Sequence, residues 1–155
     1  QWSGLPMSHP SQTIALTEYF LANYNIDESR VYGEGYSGGG ETMSLVMGKR
    51  PELFTAYLQC SSQWDGDYAP VIKNKTPVYF VIGEDDEYYG SEPTREAYEM
   101  LHDMYMEEGL TEEEINELLV LDIKDADYFA GLSYQHGGGN LFAADEEIMG
   151  WLFSK

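Results

Sequence analysis

Two glycine-spaced motifs overlap in residues Arg30–Thr42, RVYGEGYSGGGET. From Gly33 the spacing is Gly-x-Gly-x-x-Gly, which is typical of a turn that binds a dinucleotide. From Gly35 it is Gly-x-Ser-x-Gly, which is typical of a turn that presents a nucleophilic serine, here Ser37. Both motifs need a strand before the turn and a helix after it, so the stretch predicts a strand–turn–helix unit under either chemistry.

The rest of the chain predicts strands that alternate with helices. Runs rich in β-branched and aromatic residues predict strands in FTAYLQCSS (54–62), PVYFVIG (77–83) and ELLVLDI (117–123). Helical spacing and end signals predict helices in SQTIALTEYFLANY (11–24), ETMSLVMGKR (41–50), PTREAYEMLHDMYMEE (93–108) and DEEIMGWLF (145–153). This alternation predicts an α/β fold, a three-layer α/β/α sandwich with a mainly parallel sheet, in one domain over residues 1–155.

Composition restricts the partners of the protein. The chain has 8 basic and 28 acidic residues and a formal net charge of −20. Such a surface repels phosphate backbones and anionic bilayers, and no apolar run reaches the length of about 20 residues that a membrane span needs. We therefore expect neither a nucleic-acid nor a membrane partner. The lone Cys60 excludes an intrachain disulfide and a cysteine-based metal site, and the sequence favours neither a secreted nor a cytoplasmic location.

The dinucleotide interpretation makes a demand that the sequence does not meet. It needs an acidic residue about 20 residues past the turn, at the end of the next strand, to bind the ribose. That strand ends in QCSSQ (59–63), which contains no acid, and Glu52 precedes the strand and would lie at its wrong end. The serine interpretation is therefore favoured, and it requires no cofactor.

A nucleophilic serine needs a sharp turn and two helper groups. Gly35 and Gly39 would flank Ser37 because side chains there would collide with neighbouring backbone. A helix that begins at Gly38 would direct free N–H groups at the site, where they suit an oxyanion. A base and an orienting acid must then follow, in the chain order serine, acid, histidine.

The chain contains both helper groups in that order. Asp85 and Asp86 lie in GEDDEYYG (83–90), directly after the third predicted strand, and either could orient an imidazole. His136 lies in YQHGGGN, after the fourth predicted strand. Of the other histidines, His9 precedes the serine and His102 falls within a predicted helix, so neither fits.

Two aromatic residues are candidates for substrate binding. Tyr36 directly precedes the serine, and Trp64 follows the second predicted strand, at the edge of the sheet where sites form. Packing in the core is an equally good interpretation of Trp64. Ser61, Ser62 and Asp65 follow the same strand and are further candidates to line a pocket.

These residues resemble a known group of enzymes. The segments IDESRVYGEGYSGGG, RPELFTAYLQCSS, PVYFVIGEDDEYY and QHGGGNLFAADEEIMGWLF are similar to the C-terminal half of an α/β-hydrolase. They resemble most the esterases related to polyhydroxybutyrate depolymerases and feruloyl esterases, with kinship to prolyl-oligopeptidase-type hydrolases. In that group the acid stands three residues after a strand-ending glycine, which is Gly83 here and indicates Asp86. The histidine begins a glycine-containing loop before the last helix, which indicates His136.

The resemblance implies a partial α/β-hydrolase fold and a serine hydrolase that cleaves carboxylic esters. Ser37, Asp86 and His136 would form the catalytic triad, and the Gly38 N–H would supply part of the oxyanion hole. It implies an acyl-enzyme intermediate and neither a metal nor an organic cofactor. Two alternatives stay open: a serine peptidase of the prolyl-oligopeptidase type, and a catalytically incomplete hydrolase that acts as a binding module.

Two departures from the group affect these expectations. Members typically have a bulkier residue after the serine, where this chain has Gly38. Members also carry further strands ahead of the segment that begins here at Gln1, so the strand near Val31 would lie at an open edge of the sheet. We expect a second copy of the chain or a further N-terminal segment to cover that edge.

Overall fold

A computed structural model describes residues 10–155, and within them four strands form one parallel sheet. The strands are β1 (Tyr32–Tyr36), β2 (Ala56–Cys60), β3 (Val78–Gly83) and β4 (Leu119–Lys124). They lie in the order β1-β2-β3-β4, and each neighbouring pair is parallel. All four carboxyl ends therefore meet at one edge of the sheet, where loops from different parts of the chain come together.

Helices connect the strands and cover both faces of the sheet. They are α1 (Pro10–Asn23), α2 (Gly38–Met47), α3 (Ala69–Asn74), α4 (Glu92–Glu107), α5 (Glu112–Leu118), α6 (Gly139–Phe142) and α7 (Glu146–Phe153). No helix of the described residues is both long and apolar enough to cross a membrane.

Two hydrophobic cores lie on opposite faces of the sheet. The larger contains buried side chains of α2, α3, α4 and α5, and the smaller contains those of α6 and α7. Parallel connections are nearly always right-handed, so the crossover helices α2 to α5 fall on one face and leave the other to the C-terminal helices. The prediction of a three-layer α/β sandwich with a mainly parallel sheet is confirmed.

The two central strands are buried along their whole length. Every residue of β2 and β3 is buried, as continuous apolar runs between two helical layers predict. Alternate residues of β2 serve opposite cores, since Tyr57 packs in the larger core and Leu58 in the smaller. The strand β1 lies at the edge of the described sheet and alternates between buried and more accessible positions.

The glycines at the ends of two helices, α4 and α2, have different structural roles. Gly109 follows α4 with φ +87°, a left-handed conformation that ends a helix and that glycine adopts without strain. Gly48 ends α2 with an ordinary φ of −68°. A Cβ at Gly48 would lie 2.5 Å from the Asp67 backbone nitrogen, so this glycine allows a close approach of two chain segments.

Candidate active site

Ser37 lies in a sharp turn between the last residue of β1 and the first residue of α2. Its backbone has φ 53° and ψ −130°, which is strained for a residue with a side chain. Two contacts with the end of β2 hold it there. The Ser37 N–H donates to the Cys60 carbonyl at 3.1 Å, and the Ser62 hydroxyl donates to the Ser37 carbonyl at 2.7 Å. The side chain makes no capping hydrogen bond to α2 and remains available for other contacts.

Close packing around this turn explains two of its glycines. A Cβ at Gly35 would lie 2.7 Å from Gly40 Cα, and one at Gly40 would lie 2.5 Å from Ser62 Cβ. Nothing lies within 4 Å of a Cβ at Gly39, so the expectation that a side chain there would collide with backbone is wrong. Gly40, one residue further along α2, is the position that requires a glycine.

The structure brings the predicted serine, histidine and acid together. Ser37 Oγ lies 3.1 Å from His136 Nε2, and His136 Nδ1 lies 2.8 Å from Asp86 Oδ2. The carboxylate only accepts, so Nδ1 carries the proton and donates to it. Nε2 of the neutral ring is then an acceptor for the Ser37 hydroxyl, which is the arrangement that a general base requires.

Asp86, rather than Asp85, contacts the imidazole. Asp86 is 4% exposed, and its Oδ1 accepts hydrogen bonds from the backbone N–H groups of Tyr88 and Tyr89 at 3.0 and 2.9 Å. Three donors therefore orient this buried carboxylate. The Asp85 side chain is exposed. The geometry therefore distinguishes Asp86 from Asp85, which the sequence pattern left as equal candidates for orienting the imidazole.

Glu87 makes a contact with the histidine loop that the sequence analysis did not identify. Its Oε1 accepts from the Gln135 N–H at 3.0 Å, and its Oε2 accepts from the His136 N–H at 3.0 Å. These two hydrogen bonds lower the pKa of Glu87. One carboxylate thus joins the loop after β3 to the backbone that carries the imidazole.

Aromatic rings surround the imidazole. Tyr36 and Tyr88 stack on His136 with ring centroids 5.5 and 5.3 Å away. The Tyr36 hydroxyl also donates to the His136 carbonyl. Tyr36, a candidate for substrate binding, is therefore in contact with the histidine loop.

Trp64 and His102 lie away from this cluster. Trp64 packs against the larger core, with its ring 5.9 Å from that of Phe80, and its indole N–H donates to the Gly66 carbonyl at 2.9 Å. The structure does not bring it to the serine. His102 lies in α4 and contacts Glu112 at 3.0 Å. His9 lies outside the described residues.

A cavity of about 620 Å³ opens beside the serine. Its lining consists of Ser37, Gly38, Gly39, Glu41, Thr42, Tyr88 and Tyr89. The Tyr89 hydroxyl donates to Glu41 Oε1 at 2.7 Å. Burial, followed by this hydrogen bond, raises the pKa of Tyr89 to about 12, so the phenol remains protonated at neutral pH.

The start of α2 faces the same cavity. Gly38 and Gly39 are the first two residues of the helix, where backbone N–H groups have no intrahelical acceptor. Such groups, with the positive end of the helix dipole, favour negative charge. Between residues 10 and 155, no three or more His, Cys, Asp or Glu side chains are grouped so that they could hold a metal ion.

Fold and comparisons together define the class of the protein. A parallel sheet with helices on both faces and a serine in the turn after a strand is the architecture of an α/β-hydrolase. The chain belongs to the prolyl oligopeptidase family, whose model matches residues 8–98. No curated protein matches the chain.

A solved structure described as a thermostable esterase is similar over most of this chain. The two are 25% identical with a TM-score of 0.73, and the match covers 93% of this chain and 36% of that one. The chain thus spans little more than a third of the esterase that it matches. The narrower resemblance to polyhydroxybutyrate depolymerases and feruloyl esterases stays a prediction.

Proposed function

We propose that the protein hydrolyses carboxylic esters through an acyl-enzyme formed on Ser37. The observation that carries this proposal is the hydrogen-bonded chain from Ser37 Oγ through His136 to Asp86, at 3.1 and 2.8 Å. A serine at its ordinary pKa is a weak nucleophile, and an oriented imidazole within hydrogen-bond distance is what activates it.

The proposed reaction proceeds in two halves. Ser37 Oγ bonds to the carbonyl carbon while its proton moves to His136 Nε2, and the tetrahedral intermediate then expels the alcohol, which takes that proton. Water attacks the acyl-enzyme with His136 as the base, and the acid is released from Ser37. Asp86 keeps Nδ1 protonated and stabilises the imidazolium that forms in each half.

The oxyanion of each tetrahedral intermediate needs hydrogen-bond donors. We assign one to the Gly38 N–H, because it directly follows the nucleophile and belongs to the first turn of α2. A donor of this kind contributes about 3–4 kcal/mol to the stability of the transition state.

Peptide hydrolysis is the second candidate, and the match to the prolyl oligopeptidase family favours it. The same three side chains would act, but an amine would leave instead of an alcohol. We favour esters because the similar solved structure is described as an esterase and covers 93% of this chain.

Steady-state hydrolysis of nitrophenyl acetate and butyrate tests the proposal. We expect Ser37→Ala and His136→Ala to lower kcat by a factor on the order of 10⁴ to 10⁶. Ser61→Ala is the matched control, since Ser61 also follows a strand with positive φ, at 42°, but its buried hydroxyl has no hydrogen-bond partner among residues 10–155. Unchanged hydrolysis by folded Ser37→Ala would refute the proposal.

Matched nitroanilides of short peptides separate the alternatives. Faster cleavage of the anilides than of esters with the same acyl group would establish the peptidase. A folded wild-type protein that binds these compounds and cleaves neither would instead establish a binding module.

A further inference from the structure

Building on the proposed ester hydrolysis, we infer that the alcohol part of the substrate carries a positive charge, which the Glu41 carboxylate and the rings of Tyr88 and Tyr89 bind. The inference concerns the cavity of about 620 Å³ beside Ser37. It rests on the position of this cavity, its charge and its aromatic lining.

The position of the cavity relates it to the leaving group. In the proposed reaction the departing alcohol takes its proton from His136 Nε2, so the alcohol lies on the imidazole side of Ser37. Tyr88 lines the cavity and stacks on His136 at 5.3 Å, and Tyr89 lies 5.7 Å from the same ring. Because these two tyrosines connect the cavity with the imidazole, we assign the alcohol part of the substrate to the cavity.

The cavity lining carries one negative charge, and no basic side chain of the described residues neutralises it. Glu41 is its only acidic or basic lining residue, and no Lys, Arg or His side chain between residues 10 and 155 pairs with it. Nearby, burial and then the charge of Glu41 raise the pKa of Asp65. A cationic group beside Glu41 would be attracted by this carboxylate, whereas the free N–H groups at the start of α2 favour the oxyanion.

The aromatic lining suits an ammonium group. The Tyr88 and Tyr89 rings are perpendicular neighbours with centroids 4.7 Å apart, and Tyr88 is 73% exposed. The faces of aromatic rings attract ammonium groups, and they bind quaternary ammonium ligands in particular. A large exposed tyrosine at the mouth of an acidic cavity is thus placed to contact a cation.

Tyr89 also fixes the carboxylate. Its hydroxyl donates to Oε1 of Glu41 at 2.7 Å, and we assign Oε2 to the ligand. The side chain is therefore oriented before the substrate arrives, which reduces the entropy lost on binding.

Two esters of equal shape test the inference. They are acetylcholine and 3,3-dimethylbutyl acetate, in which a carbon replaces the charged nitrogen. We expect kcat/KM of the wild type to be about tenfold higher for the cationic ester at low salt, and the preference to weaken as salt is added. Equal values for the two esters would overturn the inference and leave ester hydrolysis intact.

Glu41→Gln retains an oxygen that accepts from Tyr89 but removes the charge. We expect this variant to lose most of the about tenfold preference for the cationic ester. Glu113→Gln is the control, because α5 precedes β4 and so lies near the opposite edge of the sheet from Ser37. A preference that survives in Glu41→Gln, or is lost equally in Glu113→Gln, would contradict the assignment.

A binding measurement keeps the inference testable if neither ester is cleaved. Calorimetry on Ser37→Ala would compare choline with 3,3-dimethylbutanol. We expect choline to bind about tenfold more tightly and the difference to disappear when Glu41→Gln is added. Equal binding of the two alcohols would refute the cation site, whereas failure to cleave either ester would refute only the proposed function.

Discussion

At the scale of single residues, the orientation of His136 depends on two adjacent carboxylates. Asp86 holds the ring through Nδ1, and Glu87 holds the backbone of the same residue. The proposed base is thus fixed both at its side chain and at its main chain. A small rotation of the loop would lengthen the 3.1 Å contact between Nε2 and Ser37 Oγ, on which proton transfer depends.

We predict that Glu87→Ala lowers kcat for nitrophenyl esters about 10- to 100-fold with little change in KM, because Glu87 positions the base and does not contact substrate. Glu87→Gln, which keeps one acceptor oxygen, should recover part of the loss. Asp85→Asn removes an adjacent exposed charge and should leave kcat near the wild-type value. Equal losses in Asp85→Asn and Glu87→Ala would contradict this role.

The pH dependence of folding stability gives a second test of the role of Glu87. The folded pKa of Glu87 lies below its ordinary value of 4.5, so its contacts with the histidine loop contribute stability above about pH 4.5. That contribution is lost as the pH falls through the folded pKa. We expect Glu87→Ala to show less loss of stability than the wild type over that acidic range, measured by thermal unfolding.

The serine, acid and histidine of the candidate site were predictable from their order along the chain. Ser37, Asp86 and His136 each follow a predicted strand, and parallel strands place their carboxyl ends at one edge. The Glu87 contact was not predictable, since its partners are backbone N–H groups 48 and 49 positions along the chain. A tryptophan at position 64 suits the hydrophobic core and a substrate pocket equally well, and only its packing in the structure distinguishes the two interpretations.

At the level of secondary-structure elements, the junction of β1 and α2 is closely packed. Gly40 allows α2 to pass close to Ser62, whose hydroxyl also holds the Ser37 carbonyl. The position of the serine therefore depends on how closely this helix approaches the end of β2.

We predict that Gly40→Ala destabilises the protein by about 1–3 kcal/mol, because the added methyl group overpacks the junction. It should also lower kcat, since Ser37 would move relative to His136. Gly39→Ala is the matched control: its Cβ meets nothing within 4 Å, and it should leave the free energy of unfolding unchanged or raise it by up to about 1 kcal/mol. Urea unfolding measures both, and equal destabilisation would contradict the account of this junction.

The major elements were predictable because their patterns are long. The sixteen residues of α4 show helical spacing, and the six buried residues of β3 form one continuous β-rich run. The helices α3 and α6 have only six and four residues, too few for a helical period to show, so the sequence did not predict them. Their positions depend on tertiary packing.

In the molecule as a whole, the net charge and the edge strand β1 have opposite effects on self-association. A net charge of −20 disfavours self-association, while β1 lies at the edge of the described sheet and α1 exposes large apolar side chains. These are Leu16, Tyr19 and Phe20, and the exposed Tyr24 directly follows the helix.

We predict that this chain self-associates on the side of β1 and α1, more strongly in high salt, where the charge repulsion is screened. Light scattering over a range of concentrations should give a mass above that of one chain, 17.6 kDa, and Phe20→Asp should reduce it. Met106→Asp is the control, because it adds the same single charge at an exposed position of α4, which packs on β3 and β4. A single-chain mass at every salt concentration would contradict the prediction.

The central claim is that Ser37 is a nucleophile activated by His136. The most direct measurement is the intact mass of the protein after reaction with a fluorophosphonate, followed by peptide mapping. We expect one adduct per chain, located on Ser37, absent in Ser37→Ala, slowed strongly in His136→Ala and retained in Ser61→Ala. A folded wild-type protein that forms no adduct, or an adduct that persists in Ser37→Ala, would contradict it.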